Sequence, residues 1–172
     1  GMLFQGSALF DSMTVQENVS FPLKMFSGMT DAEIDRRASE CLERVELADA
    51  GSRFPAECSG GMQKRVGIAR AIAMNPKYLF CDEPNSGLDP QTAIVIDQLI
   101  MEITREYNMT TVVISHDMNS VMEASDTIHF VHEGRILWRG DRGGLLAGGV
   151  PELEDFVFAS ELMRRIRKGG QI

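Results

Sequence analysis

"YLFCDEPNSGLDP", residues 78–90, joins a short apolar run to two adjacent carboxylates, a turn and a helix start. Tyr78 to Cys81 have the composition of a buried strand, and Asp82 and Glu83 close it. Asn85, Ser86 and Gly87 are turn residues, with Gly87 permitting a tight bend. Asp89 stands at a helix cap and Pro90 at the first helical position. A helical pattern continues to about Tyr107, and "TVVIS" (111–115) is a second apolar run of buried-strand type. A short helix from about Met118 to Ala124 and then "TIHFVH" (127–132) follow. Strand, helix, strand, helix, strand predicts an α/β domain built on a parallel sheet. Such a sheet receives ligands at the carboxyl edge of its strands. Asp82, Glu83 and His116 all fall just at or past a strand end, on that edge.

Upstream the pattern is almost entirely helical. "MLFQ" reads as the end of a strand. Thr14-x-x-Glu17 is a capping box opening a helix toward Leu23, and Thr30-x-x-Glu33 opens a longer one. In the second, Ile34, Ala38, Cys41, Leu42 and Val45 follow a helical period. "GSRFPAEC" (51–58) is a loop, and Ser59 caps a helix reaching about Met74 before Asn75-Pro76. Ser59, Gly60 and Gly61 stand where backbone N–H groups and the helix dipole favour an anion, and the glycines let a phosphate approach the backbone. Downstream, "TIHFVH" and "RILWR" flank Glu133-Gly134, a two-residue hairpin signal. "GDRGGLLAGG" (140–149) is a glycine-rich connector to an amphipathic helix over Pro151–Lys168, with Leu153, Phe156, Val157 and Leu162 inside.

The whole chain of 172 residues carries a net charge of -8, which speaks against broad attraction to nucleic acid or anionic lipid. Lys64-Arg65 and "MRRIRK" (163–168) read as solvated helix faces. No apolar run approaches the roughly 20 residues that cross a bilayer. Cys41, Cys58 and Cys81 are odd in number and form no C-x-x-C pair, which suits a reducing compartment. His129 and His132 fall on opposite faces of a strand, a poor metal pair.

In order, Gln5, "CSGGM" (58–62), "LFCDEP" (79–84), "SGLDP" (86–90) and "SHD" (115–117) resemble the nucleotide-binding domain of ABC transporters. In that family they correspond to the Q-loop, the signature, Walker B, the D-loop and the H-loop. The resemblance runs from Leu3 to about Gly140 and implies a P-loop NTPase-type ABC ATPase core, its C-terminal part, plus a helical signature subdomain. It divides the chain into 1–13 (Q-loop and strand end), 14–58 (helical subdomain), 59–145 (signature helix and catalytic core) and 146–172 (C-terminal helix). ATP and Mg2+ are the implied substrate and metal. Asp82 would hold magnesium with Gln5, which also senses the transport partner. Glu83 would be the general base, and His116 would contact the γ-phosphate. Ser59, Gly60 and Gly61 would contact the γ-phosphate of ATP on the opposite subunit of a homodimer, and Asp89 would cross that interface.

G-x-x-x-x-G-K-[ST] occurs nowhere in the chain. The family places that Walker A loop and an aromatic adenine contact upstream of the Q-loop, where this sequence starts. The resemblance therefore implies a fragment with negligible ATP affinity by itself. The signature departs from the family pattern at Met62, usually Gln, and Cys58, usually Leu. "SGGM" together with "LFQGSALFDSMTVQENVSFPL" (3–23) resembles the ATPases of MCE-type lipid transporters. That branch implies phospholipid transport, a separate permease, an MCE substrate-binding subunit, and a peripheral place on the cytoplasmic face of the inner membrane. Phe10, Met13, Phe21 and Met25 are candidates for the permease contact. An ATPase serving another small substrate is the alternative. A role on DNA or ribosomes fits poorly with the short, cysteine-pair-free insert and the acidic charge, and Glu83 and His116 argue against a non-catalytic remnant.

Overall fold

The computed structural model describes residues 1–159, which fall into two compact units, Gly1–Ser115 and the segment from His116 onward. The first contains β1 (Met2–Leu3), α1 (Val15–Phe26), α2 (Asp31–Arg44), two single-turn 3-10 helices, α3 (Gly60–Ile72), β2 (Tyr78–Asp82), α4 (Pro90–Glu106) and β3 (Thr110–Ile114). The strands form a parallel sheet in the order β1-β2-β3, with Met2 opposite Phe80 and Asp82 opposite Ile114.

Both expected capping boxes are formed. Thr14 accepts from the Glu17 N–H and Thr30 from the Glu33 N–H, while each glutamate carboxylate receives the threonine N–H at 2.7 Å. α1 continues past Leu23 to Phe26, running through Pro22. Pro22 forfeits only its own bond to the carbonyl of Asn18, and Ser27 closes the helix by donating its N–H and hydroxyl to the Leu23 carbonyl. α3 stops at Ile72, short of Met74, because Arg37 takes the Ile72 and Ala73 carbonyls and Asn75 turns left-handed at φ 48°.

One hydrophobic cluster joins Val15, Val19 and Leu23 of α1 and Ile34, Ala38 and Leu42 of α2 to Ile68 and Ile72 of α3, Leu79 and Cys81 of β2, and Ile96 and Ile103 of α4. It is continuous across residue 58. Burial pushes the Cys81 thiol up to about 12. The strands differ from the buried type expected of them. Leu3, Leu79 and Cys81 are buried, yet Met2, Tyr78, Phe80, Val112 and Ile114 are exposed. In β1 and β2 exposure alternates with the two faces of the sheet, whereas Val112, Val113 and Ile114 of β3 are exposed in succession.

In the second unit α5 (Met118–Ala124) precedes β4 (Ile128–His132) and β5 (Arg135–Gly140). β4 does not extend the parallel sheet, as strand-helix alternation had suggested; it pairs antiparallel with β5. Glu133 and Gly134, at φ 48° and 73°, turn the chain back at once. The expected connector contains α6 (Arg142–Ala147), started by Asp141 accepting from the Gly144 N–H at 2.8 Å. Of the helix expected over Pro151–Lys168, the described part is α7 (Pro151–Val157), which Phe158 closes, and Phe156, expected inside, is exposed. Leu162 and the basic cluster lie outside the described residues. Leu145, Leu153, Val157 and Phe158 form the core of this unit, with Phe130 and Trp138 against them.

Candidate active site

β2 delivers Asp82 as its last residue, in register with Ile114. The next residue, Glu83, donates its N–H to the Ile114 carbonyl at 2.9 Å and then leaves the strand at φ 45°. A non-glycine residue in this left-handed region is strained and persists only where its surroundings hold it. Here the Glu83 carbonyl accepts from the Ser86 N–H at 3.1 Å and from Lys64 Nζ at 3.2 Å. The backbone thus turns sharply between the two carboxylates.

Gln5 lies on the loop after β1. Its amide Nε2 donates to Ser86 Oγ at 3.3 Å, and its carbonyl accepts from Lys64 Nζ. The loop continues through Ser7 and Ala8 at φ 61° and 47°. Arg70 holds that turn by donating to the Ser7 carbonyl at 2.6 Å and the Ala8 carbonyl at 2.8 Å. Gly67 lets α3 sit close to it, since a Cβ there would come within 2.7 Å of Leu3 Cδ1.

The expected solvated face at Lys64-Arg65 is absent. Lys64 is buried, and Arg65 pairs with Glu46 and donates to the Val45 carbonyl. α3 packs on nearly all sides, with Val66, Gly67, Ile68, Ala69, Ala71 and Ile72 buried. A lysine inside such a helix has no open face to occupy. Burial lowers the Lys64 pKa, against the raising effect of the Asp82 and Glu83 charges.

Ser59 caps α3, its hydroxyl accepting from the Met62 N–H at 3.3 Å. The N–H groups of Gly60 and Gly61 head the helix, where no intrahelical acceptor exists for them. The same glycines also serve packing. A Cβ on Gly60 would lie 3.5 Å from Leu88 Cδ2, and one on Gly61 only 2.8 Å from Thr92 Cγ2. Thr92 is held by Asp89, which accepts from the Thr92 N–H at 3.0 Å and its hydroxyl at 2.5 Å. These hydrogen bonds, led by the Thr92 hydroxyl, keep the Asp89 carboxyl below the usual range. Asp89 is therefore the cap of α4, accepting also from the Gln91 N–H.

Within the first unit, Gln5 meets Ser86, the Glu83 carbonyl meets Lys64, and Gly60 and Gly61 pack toward Leu88 and Thr92 at the start of α4, which Asp89 caps. His116 follows β3 by two residues and begins the second unit. Lys64, Arg70 and Thr92 escaped the sequence reading. For Lys64 the missing amphipathic period of α3 was the available signal; Arg70 and Thr92 carried none.

Asp82 and Gln5 offer oxygen donors of the hard type magnesium takes, and no group of three His, Cys, Asp or Glu forms a closed cage among the described residues. That donor set suits an ion that draws its remaining ligands from water and phosphate, so the residues fit Mg2+.

Residues 1–86 match the family model described as ABC transporter. The chain is 43% identical over 162 residues to the methionine import ATP-binding protein MetN 2 of Pseudomonas aeruginosa, covering 94% of this chain and 48% of that protein. It is 46% identical over 140 residues to MetN 1 of Pseudomonas fluorescens, covering 81% of this chain and 42% of that one. Among solved structures it is similar to the ATP-binding cassette MJ0796, a dimer in a post-hydrolysis state bound to ADP and Pi, with TM-score 0.72 and 35% identity over 82% of this chain and 62% of that one. The chain spans about half the length of the curated relatives it matches. With a parallel α/β sheet, the ordered motifs and a family match over its first half, the chain belongs to the ABC transporter family, within its ATP-binding domain.

Proposed function

We propose that the intact protein hydrolyses ATP to drive a membrane transporter. The observation that supports this best is the gathering of Gln5, Glu83, Ser86 and the glycine-led start of α3 around Lys64 and Thr92 in one unit. Asp82 and Gln5 hold Mg2+, which when bound neutralises charge on the phosphates. Glu83, at the left-handed turn after β2, takes a proton from the attacking water. His116 donates to the γ-phosphate. Ser59 and the N–H groups of Gly60 and Gly61 face the γ-phosphate bound by a second subunit, and Asp89 lies at that interface. The functional segments are 1–13, 14–58, 59–145 and 146–172.

The permease docks on the helical segment. Phe10, Met25, Phe26 and Met29 are exposed there, with Phe10 and Phe21 rings 4.8 Å apart. No helix among the described residues is long and apolar enough to cross a membrane, which suits a subunit held peripherally by its permease at the cytoplasmic face of the inner membrane. Met62 and the 3–23 segment favour lipid cargo of the MCE type. The similarity to methionine import ATP-binding proteins of Pseudomonas favours a second reading, import of methionine or a similar small solute. Mass spectrometry of material extracted from the purified transporter separates them: co-purified phospholipid supports the first, and tight binding of methionine without lipid supports the second.

In the full-length protein Glu83→Gln is expected to lower ATP turnover by about 10²–10³-fold while ATP still binds and traps a closed dimer. Undiminished turnover in that variant would remove Glu83 from the role of base.

A further inference from the structure

We propose that Lys64 is a positioning residue for hydrolysis, tying the loop that carries Gln5 to the backbone of Glu83. The inference rests on the ATPase reading above. Nζ donates to the main-chain carbonyls of both residues. Two further bonds close a ring: the Ser86 N–H donates to the Glu83 carbonyl, and Gln5 Nε2 donates to Ser86 Oγ. The ring therefore links three separate stretches: the loop after β1, the helix headed by Ser59, and the turn after β2. Lys64 is only 4% exposed, although Gln5 is exposed and Glu83 half-buried. Burying an ammonium is costly unless its donors are satisfied. An apolar side chain of similar length would fill the space without that cost.

The ring bears on geometry that needs support. Glu83 sits at φ 45°, and its backbone is held at the N–H by β3 and at the carbonyl by Ser86 and Lys64. Without Lys64 the carbonyl keeps one anchor and the Gln5 loop loses its tie to it. The Glu83 carboxylate would then sample directions away from the attacking water, which lowers kcat without weakening ground-state ATP binding. A displacement of the Gln5 loop would in turn reach Glu83 through a single side chain.

Steady-state ATPase kinetics of the full-length protein test this. Lys64→Met keeps the length and removes the donors; kcat is expected to fall about 10-fold with KM for ATP within about twofold. Lys64→Gln keeps an N–H2 donor at shorter reach and is expected to lie between the two. A Lys64→Met kcat within about twofold of wild type overturns the proposal, as does a Lys64→Gln kcat no better than that of Lys64→Met, or a loss expressed only in KM. If Lys64→Met does not fold, Lys64→Gln carries the test: a kcat reduced about threefold at constant KM supports the bridge, and an unchanged kcat overturns it. Glu83→Gln run alongside separates the failures. Its loss of turnover beside a normal Lys64→Met leaves the ATPase reading standing and overturns the bridge alone; retained turnover in Glu83→Gln removes Glu83 as base and overturns the bridge with it; no turnover in the unaltered full-length protein overturns the ATPase reading.

Discussion

Asn18 shows how one buried amide organises a loop. Its side chain is fully buried in α1; Oδ1 accepts from the Phe10 N–H at 2.8 Å, and Nδ2 reaches the Phe10, Met13 and Thr14 carbonyls. The Phe10 carbonyl also accepts from the Met13 N–H and the Thr14 carbonyl from the Asn18 N–H. Removing the amide therefore takes the partner from the Phe10 N–H and the Met13 carbonyl, each costing roughly 1–3 kcal/mol. Asn18→Ala is expected to destabilise the fold by about 3 kcal/mol, read from the urea unfolding midpoint at constant m-value. A loss under about 1 kcal/mol would mean that water replaces the amide. Nothing in "TVQENVSF" distinguishes this asparagine from a surface one, since hydrogen bonding to a loop eight residues away leaves no periodic mark. Lys64 differs in part: the missing amphipathic period of α3 is a signal of burial, but the two carbonyls it meets leave no mark in the sequence.

Among the elements, the junction of α3 with α4 shows a residue pattern serving two ends. The glycines of "SGG" were read as room for a phosphate, and the structure adds that Gly61 makes room for Thr92. Thr92 cannot yield easily, because Asp89 holds both its N–H and its hydroxyl. Gly61→Ala is expected to destabilise by about 1–3 kcal/mol through overpacking. Thr92→Ser removes the clashing methyl and retains the hydroxyl, so it should recover most of that loss in a double-mutant cycle. Strict additivity of the two changes would show that the contact does not govern the junction. Most helix starts were legible at this scale, because caps such as Thr14, Thr30, Ser59 and Asp89 act on N–H groups within three residues. Helix ends were less so. α3 is stopped by Arg37, a residue 35 positions from the Ile72 carbonyl it binds.

At the scale of the first unit, the exposed apolar residues of the parallel sheet are the dominant feature. Met2, Phe80 and Val112 are neighbours across three strands and all are exposed, beside Tyr78 and Ile114. Apolar surface of this kind drives association. The 172-residue chain by itself is expected to self-associate at about 10 µM, seen by light scattering. Phe80→Gln with Val112→Thr should reduce that, and a monodisperse monomer of the unaltered chain would sink the expectation. From the sequence came the parallel α/β class, the order of the main elements, the caps and the hairpin turn. Each of those follows from local backbone preference or from apolar period. Only the tertiary structure decided which strand residues are covered, that Lys64 is buried between two carbonyls, and that Gly61 answers to Thr92. Those outcomes depend on which distant segment arrives at a given surface, and local preferences carry no term for that contact.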